Sequence, residues 1–288
     1  MLDANTFSNS NVSKYLNQNF INLKLDADTE YGRILFSQYN GNGYPLLLFL
    51  DSNNNELERF YGFFEPEPFL QKLIDIKNGT NTFPVLQAQY ESGDNSAETM
   101  SILASKYAER GNDSLAIALY QNIILSKNVS SKMFFEAKYF LSSQKLKDGI
   151  TKELENYIKT YSESPYLKDA VNKLLRYYQK NELVENEVLY FKKYIEIFSD
   201  DPWFLNQFSW RMTELNLNLD LALKKINHAL NIINPDVNGL ASIIDTKAEV
   251  LWKLGKIDEA IQTIEEAILL DPNNDYYLSQ KEKFKSNG

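Results

Sequence analysis

Few side chains in this sequence could do chemistry. The 288 residues contain a single histidine, His228, and no cysteine. Disulfides, thiolate metal sites and cysteine nucleophiles are therefore excluded from these residues. One histidine also cannot complete a multi-histidine metal site or a serine-type triad on its own. His228 falls in the middle of a predicted helix, and we interpret it as a surface or groove-lining residue.

Acidic side chains form two short clusters that could pair as carboxylates or bind a hard cation. Asp26 and Asp28 follow a predicted strand, and we interpret them as caps of a helix predicted to begin near Thr29. Residues 51–56 faintly resemble a calcium loop but lack its central glycine and its spaced acids, so they predict a hairpin turn. The sequence also has no glycine-rich phosphate loop and no serine nucleophile elbow. We therefore predict no catalytic residue, no cofactor and no metal site.

Length and composition predict a folded, acidic chain of two domains. Apolar residues make up 43% of the sequence, and the length is near the roughly 250–300 residues at which a single core stops growing. The net charge of −9 argues against a nucleic-acid partner. The longest apolar run, Leu46–Leu50, is far shorter than the roughly 20 residues of a membrane span. Residues 1–13 are polar and lack the apolar region of a signal peptide, which predicts a soluble chain.

The first 77 residues alternate short helix and strand signals. Residues 20–26 alternate apolar and polar side chains, which predicts a strand with one buried face. Leu46–Leu50 is wholly apolar and predicts a strand covered on both faces, paired with a second strand at Leu57–Tyr61. Helical spacing of apolar residues predicts helices over 12–19, over 29–39 and after Glu65.

Residues 78–95 are rich in glycine, asparagine, serine and threonine, and they predict a linker or long loop. From about residue 96 onward the pattern is helical throughout. The predicted domains are therefore 1–77 and 96–288, joined by 78–95.

The helical part repeats with a period in the mid-thirties. Breaks that contain Pro165, Pro202, Pro235 and Pro272 end successive amphipathic segments, and they are 37, 33 and 37 residues apart. Such a period is typical of stacked helix pairs. The predicted pairs cover 96–127, 130–161, 166–199, 202–233 and 239–270, with a terminal helix at 275–284. Trp203 and Trp210 are predicted to pack in the core of this array.

The last pair has the most distinctive pattern. Small residues stand where two helices must approach closely, a glycine stands at the turn between them, and a proline follows the second helix: Ala248, Gly255, Ala260, Ala267 and Pro272. This pattern closely resembles the tetratricopeptide repeat. The resemblance implies a helical solenoid whose first helices line a groove for a protein or peptide partner. The implied groove candidates in the last pair are Asp245, Glu249, Trp252 and Lys253.

Residues 1–77 resemble the later part of a thioredoxin-like domain. The matching pieces occur in the family's order: Thr6-Phe7-Ser8, Val12 through Phe20, Lys24-Leu25-Asp26, Gly43-Tyr44-Pro45, Leu46 through Asp51, and Gly62. The resemblance implies a cis peptide bond at Tyr44-Pro45.

The family's Cys-x-x-Cys motif is missing from this sequence, and Met1-Leu2-Asp3 resembles the residues that follow that motif. Two hypotheses remain open. In the first, the chain is a non-catalytic interaction protein whose thioredoxin-like domain lacks redox cysteines. In the second, it is a fragment of a thiol–disulfide oxidoreductase whose Cys-x-x-Cys lies upstream of Met1, and the resemblance then suggests the periplasm or cell envelope.

The sequence thus predicts an α/β plus all-α chain: a partial thioredoxin-like sheet domain followed by an α-helical tetratricopeptide-type solenoid. The expected partner is a protein or peptide held in the repeat groove. The sequence assigns neither that partner nor an oligomeric state.

Overall fold

The computed structural model describes residues 2–235 and 239–286. Met1, upstream of which one of the two hypotheses places a Cys-x-x-Cys motif, lies outside the described residues. The chain divides into two compact units, residues 1–170 and 171–288, and the division falls within the helix Leu167–Lys180. No helix of the described residues is both long and apolar enough to cross a membrane.

The first unit begins with a π-helical segment, Leu2–Thr6, and two helices precede a hairpin. Its elements are α1 (Ser10–Asn19), α2 (Glu30–Gln38), β1 (Leu46–Leu50), β2 (Glu56–Tyr61), α3 (Pro66–Asn78), α4 (Phe83–Glu91), α5 (Ala97–Glu109), α6 (Asp113–Leu125), α7 (Ser131–Gln144), a 3₁₀ turn (Lys145–Asp148) and α8 (Lys152–Thr160). The second unit contains α9 (Leu167–Lys180) from Val171 onward, α10 (Val184–Tyr194), α11 (Pro202–Leu215), α12 (Leu219–Ile232), α13 (Leu240–Lys253), α14 (Ile257–Leu270) and α15 (Asp275–Ser286).

The hairpin of β1 and β2 confirms the paired strands that the sequence predicts. The two strands are antiparallel, with Leu46 opposite Tyr61. The turn between them is stabilised by Asp51, whose carboxylate accepts hydrogen bonds from the main-chain N–H groups of Asn53 and Asn55, both at 2.8 Å. These bonds confirm the interpretation of residues 51–56 as a hairpin turn. Among the described residues the sheet has only these two strands, and β1 is only partly buried.

The predicted strand at residues 20–26 is wrong. This segment forms neither helix nor strand, and the side chain of Ile21 is fully exposed while that of Leu23 is 75% exposed. Alternation alone does not make a strand, because a strand also needs a neighbour whose main chain can pair with it. The predicted capping by Asp26 and Asp28 is also wrong, since the Thr29 hydroxyl caps α2 by accepting from the N–H of Gly32 at 3.1 Å.

The predicted long loop over 78–95 contains a helix. Helix α4 begins at Phe83, and Pro84 is tolerated there because the first turn of a helix has no internal partner for its N–H groups. Leu86 of α4 is buried against Leu103 and Ile123 of the following helices. The domain boundaries at 77 and 96 stay a prediction.

A buried ion network connects β2 to α5 within the first unit. Glu58 pairs with Lys106, and the Arg110 guanidinium lies 2.6 Å from the Glu56 carboxylate. Arg59 also pairs with Glu56 and donates to main-chain oxygens nearby. All of these side chains are at least four-fifths buried, so each charge depends on its partners.

The predicted helix pairs are confirmed. The pairs α5–α6, α7–α8, α9–α10, α11–α12 and α13–α14 fall within the predicted ranges, and α15 is the terminal helix. In the last pair, Ala260 and Ala267 are fully buried, which lets α14 approach α13 closely. Gly255 has a φ of 77°, a left-handed conformation that favours glycine, and it ends α13 so that the chain can reverse.

We predict that limited digestion with chymotrypsin cuts first within residues 20–26. This segment is exposed, apolar and without main-chain pairing, whereas 83–91 is helical. Mass spectrometry of the first fragments measures the position of the cut. A first cut within 78–95 would instead support the predicted linker and contradict the described helix α4.

Candidate functional site

A cleft of about 240 Å³ lies among α9, α10 and α11 of the second unit. Its apolar walls come from one residue of each helix: Leu175, Phe191 and Trp210. Amide side chains add hydrogen-bonding groups between these walls, and they belong to Gln179, Asn206 and Gln207. Leu175 and Phe191 are each only 1% exposed, so the apolar surface that the cleft presents to a ligand comes mainly from Trp210, with donors and acceptors beside it that could orient a bound group.

Charged side chains at the cleft are already fixed by one another. The Arg211 guanidinium donates to both oxygens of Glu187, from Nε at 2.8 Å and from Nη2 at 3.0 Å. Its Nη1 donates to Glu214 at 2.9 Å, and Glu214 also accepts from the indole N–H of Trp210 at 3.1 Å. The hydrogen bond to Glu187 raises the pKa of Arg211. Two carboxylates face one guanidinium, so these three side chains carry one negative charge in excess.

Two asparagine side chains of the second unit carry a buried oxygen. The Oδ1 atoms of Asn172 on α9 and Asn206 on α11 are buried, and neither has a hydrogen-bond partner among the described residues. Asn206 lines the cleft. Asn172 lies about one helical turn before Leu175 and about two turns before Gln179, and these two residues also line the cleft.

The groove candidates of the last pair face α15. Asp245 and Glu249 are only 4% and 6% exposed. The side-chain amide of Gln280 donates to Asp245 at 3.4 Å and to Glu249 at 3.2 Å, and Lys283 donates to Glu249 at 2.6 Å. The candidate groove surface of this pair is thus covered by the chain's own terminal helix.

The other two groove candidates lie at the edge of this cluster. The Trp252 ring packs against Phe284 of α15 with centroids 5.7 Å apart. The ammonium groups of Lys253 and Lys283 lie over the same indole ring, at 4.8 and 4.6 Å from its centroid. Lys253 itself is exposed.

Burial raises the pKa of Asp245 to about 6. The neighbouring Glu249 carboxylate also favours the protonated form, whereas the hydrogen bonds from Gln280 and Tyr276 and the charge of Lys283 favour the ionised form, and the value of about 6 is the net result. Asp245 is therefore harder to ionise than an exposed aspartate.

The remaining sequence candidates are separate from the cleft. His228 is exposed on α12, with its Nε2 3.0 Å from the main-chain oxygen of Ser199. The Tyr44–Pro45 peptide bond of the first unit is cis, and the Tyr44 ring stacks on Phe36. Within residues 2–235 and 239–286, no three His, Asp or Glu side chains are grouped so that they could hold a metal ion.

Sequence reasoning missed the cleft residues. It assigned Trp210 to the core, whereas Trp210 lines the cleft and Trp203 is 43% exposed. The signal that could have revealed the face is the spacing of Asn172 and Asn206, which are 34 residues apart and so one repeat period apart. Polar residues recurring at the repeat period mark a surface that the stacking core does not use.

The small-residue pattern of the last pair has the geometry that its spacing predicts. Ala248, Ala260 and Ala267 are all fully buried at the contact between α13 and α14, and Pro272 follows the end of α14. Residues 241–274 match the tetratricopeptide repeat family.

Two solved structures are similar to part of the chain. The crystal structure of YrrB, described as a TPR protein with an unusual peptide-binding site, gives a TM-score of 0.47 at 17% identity, covering 68% of this chain and 97% of that one. The RpL4 assembly chaperone Acl4 gives 0.41 at 12% identity, covering 78% and 96%. No curated protein sequence matches the chain.

We predict that Asp245→Asn stabilises the protein at pH 7.5 by about 1–3 kcal/mol, because it removes a carboxylate that is costly to bury ionised. The folded-state pKa of Asp245 lies above the ordinary value of 3.8. The free energy of unfolding of the parent protein therefore falls as pH rises from about 4 to 6, because Asp245 loses its proton in the folded state at a cost. The gain in the variant therefore shrinks as pH falls from 6 to 4. Urea unfolding at several pH values measures it.

The control for this variant is Asp200→Asn, which changes an exposed aspartate in the turn after α10. We expect its free energy of unfolding to stay within about 0.5 kcal/mol of the parent. A destabilised Asp245→Asn protein at pH 7.5 would contradict the assignment of Asp245 as a buried carboxyl with a raised pKa.

Proposed function

We propose that the chain is a protein-interaction module whose second unit binds a peptide segment of a partner protein. The observation that carries this proposal is the cleft among α9, α10 and α11, which combines apolar walls with several amide side chains. Its position supports the proposal, because the first helices of tetratricopeptide pairs commonly line a binding groove, and residues 241–274 match that repeat.

The size and lining of the cleft favour a peptide over a cofactor. A volume of about 240 Å³ is below the roughly 300–1,000 Å³ of pockets that enclose small ligands. It suits one inserted side chain, held between Leu175, Phe191 and Trp210, with the rest of the ligand outside the cleft. Gln179 and Gln207 also line the cleft, and their amides supply donors and acceptors for the main chain of such a ligand.

Charge favours a basic partner. Glu187, Arg211 and Glu214 leave one negative charge at the cleft, and the whole chain carries −9. Complementary charge speeds encounter and discriminates against acidic competitors. We therefore expect peptides that bind here to contain more lysine and arginine than aspartate and glutamate.

The first unit is proposed to retain part of a thioredoxin-like domain without redox cysteines. The hairpin β1–β2, flanked by α1 and α3, supports this proposal, whereas residues 20–26 do not contribute a strand. The alternative is a fragment of a thiol–disulfide oxidoreductase, which needs cysteines that these 288 residues lack. An in-frame Cys-x-x-Cys upstream of the Met1 codon would support that alternative, and an in-frame stop codon directly upstream would contradict it.

A random library of displayed 12-residue peptides, selected against the full chain, tests the proposed function. We expect basic peptides to be enriched and to bind, as fluorescein-labelled probes, in a fluorescence polarisation assay. Trp210→Ala is expected to weaken binding by at least tenfold, because it removes one apolar wall and one of the two hydrogen-bond donors to Glu214.

The matched control is Lys224→Ala, which changes an exposed residue on α12 away from the cleft. Its affinity for the peptides is expected to stay within twofold of the parent, and circular dichroism checks that both variants are folded. A library that enriches no peptide would contradict the proposed function. Peptides that bind the Trp210→Ala variant with the same affinity as the parent would also contradict it.

A further inference from the structure

We infer that Asn42 is a site of spontaneous covalent modification, at which the side-chain amide converts to a carboxylate. The inference concerns the first unit and does not rest on the proposed function. Asparagine is among the chemically labile residues, and a following glycine shields the attacking nitrogen least because it has no Cβ. Residues 42 and 43 are such an Asn-Gly pair, in the loop between α2 and β1.

The reaction needs no enzyme, and water is its only co-reactant. The main-chain nitrogen of Gly43 loses its proton to solvent and attacks Cγ of Asn42. The Cγ–Nδ2 bond breaks, and Nδ2 takes a proton from solvent and leaves as ammonia, so that a succinimide ring results. Water then adds to one of the two carbonyl carbons of the ring, and the bond from that carbon to the ring nitrogen breaks. The product is aspartate or isoaspartate.

The described residues contain three complete Asn-Gly pairs, which share their sequence and differ in structure. They are residues 40–41 just after α2, residues 42–43 in the loop that follows, and residues 78–79 at the end of α3. The asparagine of each pair is exposed, so contact with water does not distinguish them. A difference in reactivity must therefore come from how the main chain of each pair is held.

The glycine N–H groups of the three pairs differ in their hydrogen bonds. Gly41 donates to the main-chain oxygen of Phe36 at 2.8 Å, and Gly79 donates to that of Ile76 at 3.1 Å, each at the end of a helix. The N–H of Gly43 has no hydrogen-bond partner among the described residues. Attack by a bonded nitrogen must first break its hydrogen bond and open the helix end, whereas the nitrogen of Gly43 is ready to react.

The Asn42 side chain is only weakly held, and its surroundings suit the product. Its Nδ2 lies 3.5 Å from the main-chain oxygen of Glu109, at the limit of a hydrogen bond. Nη1 of Arg59 donates to the same oxygen at 3.3 Å. A carboxylate formed at position 42 therefore arises near a buried guanidinium of the ion network between β2 and α5, and the opposite charges attract.

Peptide mapping of the folded full chain tests the inference. The protein is incubated at pH 8 and 37 °C, circular dichroism checks that it stays folded, and samples are digested at intervals. Mass spectrometry measures the conversion of each asparagine to aspartate or isoaspartate. We expect Asn42 to convert at least tenfold faster than Asn40 and Asn78, because reaction at those two sites first requires opening of a helix end. Equal rates at Asn42 and Asn78 would overturn the inference.

The same incubation in urea separates structure from sequence. The unfolded chain lacks the hydrogen bonds of the helix ends, so we expect the three asparagines to convert at rates within about threefold of one another. If Asn42 instead kept a tenfold lead in urea, the neighbouring sequence and not the unpaired glycine N–H would set the rate. That result would also overturn the inference.

Gly43→Ala tests the attacking atom. An added Cβ would meet the Tyr61 ring at 3.5 Å, an ordinary contact, and Gly43 does not have a left-handed φ, so the variant is expected to fold. We expect Asn42 to convert at least tenfold more slowly in this variant, because the methyl group crowds the nitrogen. Asn78 is the internal reference, and its rate should change by less than twofold. An unchanged rate at Asn42 would contradict attack by the Gly43 nitrogen.

Discussion

The close approach of the two helices in each pair is the constraint on which the second unit depends. In α11 and α12 the Ser209 side chain is fully buried, and its hydroxyl donates to the main-chain oxygens of Leu205 at 2.9 Å and Ala222 at 3.1 Å. In α13 and α14 the same position is Ala248, which is fully buried, as is Ala260 of α14. Because these small residues let the two helices approach closely, the apolar side chains of each pair are buried between them. The first helix of the pair then has another face, whose polar side chains do not pack into this core.

Along the second unit, the polar face is covered by another helix in one place and lines a cleft in another. Beneath α15, the carboxylates of Asp245 and Glu249 are covered, and Gln280 and Lys283 supply their partners. Among α9, α10 and α11 there is a cleft, and the oxygens of Asn172 and Asn206 have no hydrogen-bond partner within residues 2–235 and 239–286. The contrast explains why the terminal helix protects the last pair, while the binding surface is proposed to lie earlier in the array.

The helix pairs could be predicted from sequence, because glycine, proline and small residues act locally and recur at a fixed period. Pairing between distant segments could not: residues 20–26 alternate as a strand should, but no neighbouring main chain pairs with them. The composition of residues 78–95 is typical of loops and so does not predict helix α4, although Leu86 of that helix packs into the core. The groove candidates Asp245 and Glu249 were placed on the correct helix, but their cover by α15 depends on a contact more than thirty residues away along the chain.

Site-specific photo-crosslinking tests the central claim most directly. A benzophenone amino acid would replace Gln207 in the cleft and, in a separate protein, the exposed Lys224 of α12. After irradiation with a library-selected peptide bound to the full chain, mass spectrometry locates the crosslink. The account predicts crosslinking from position 207 and none from position 224. A peptide that stays bound but crosslinks only from position 224 would contradict it.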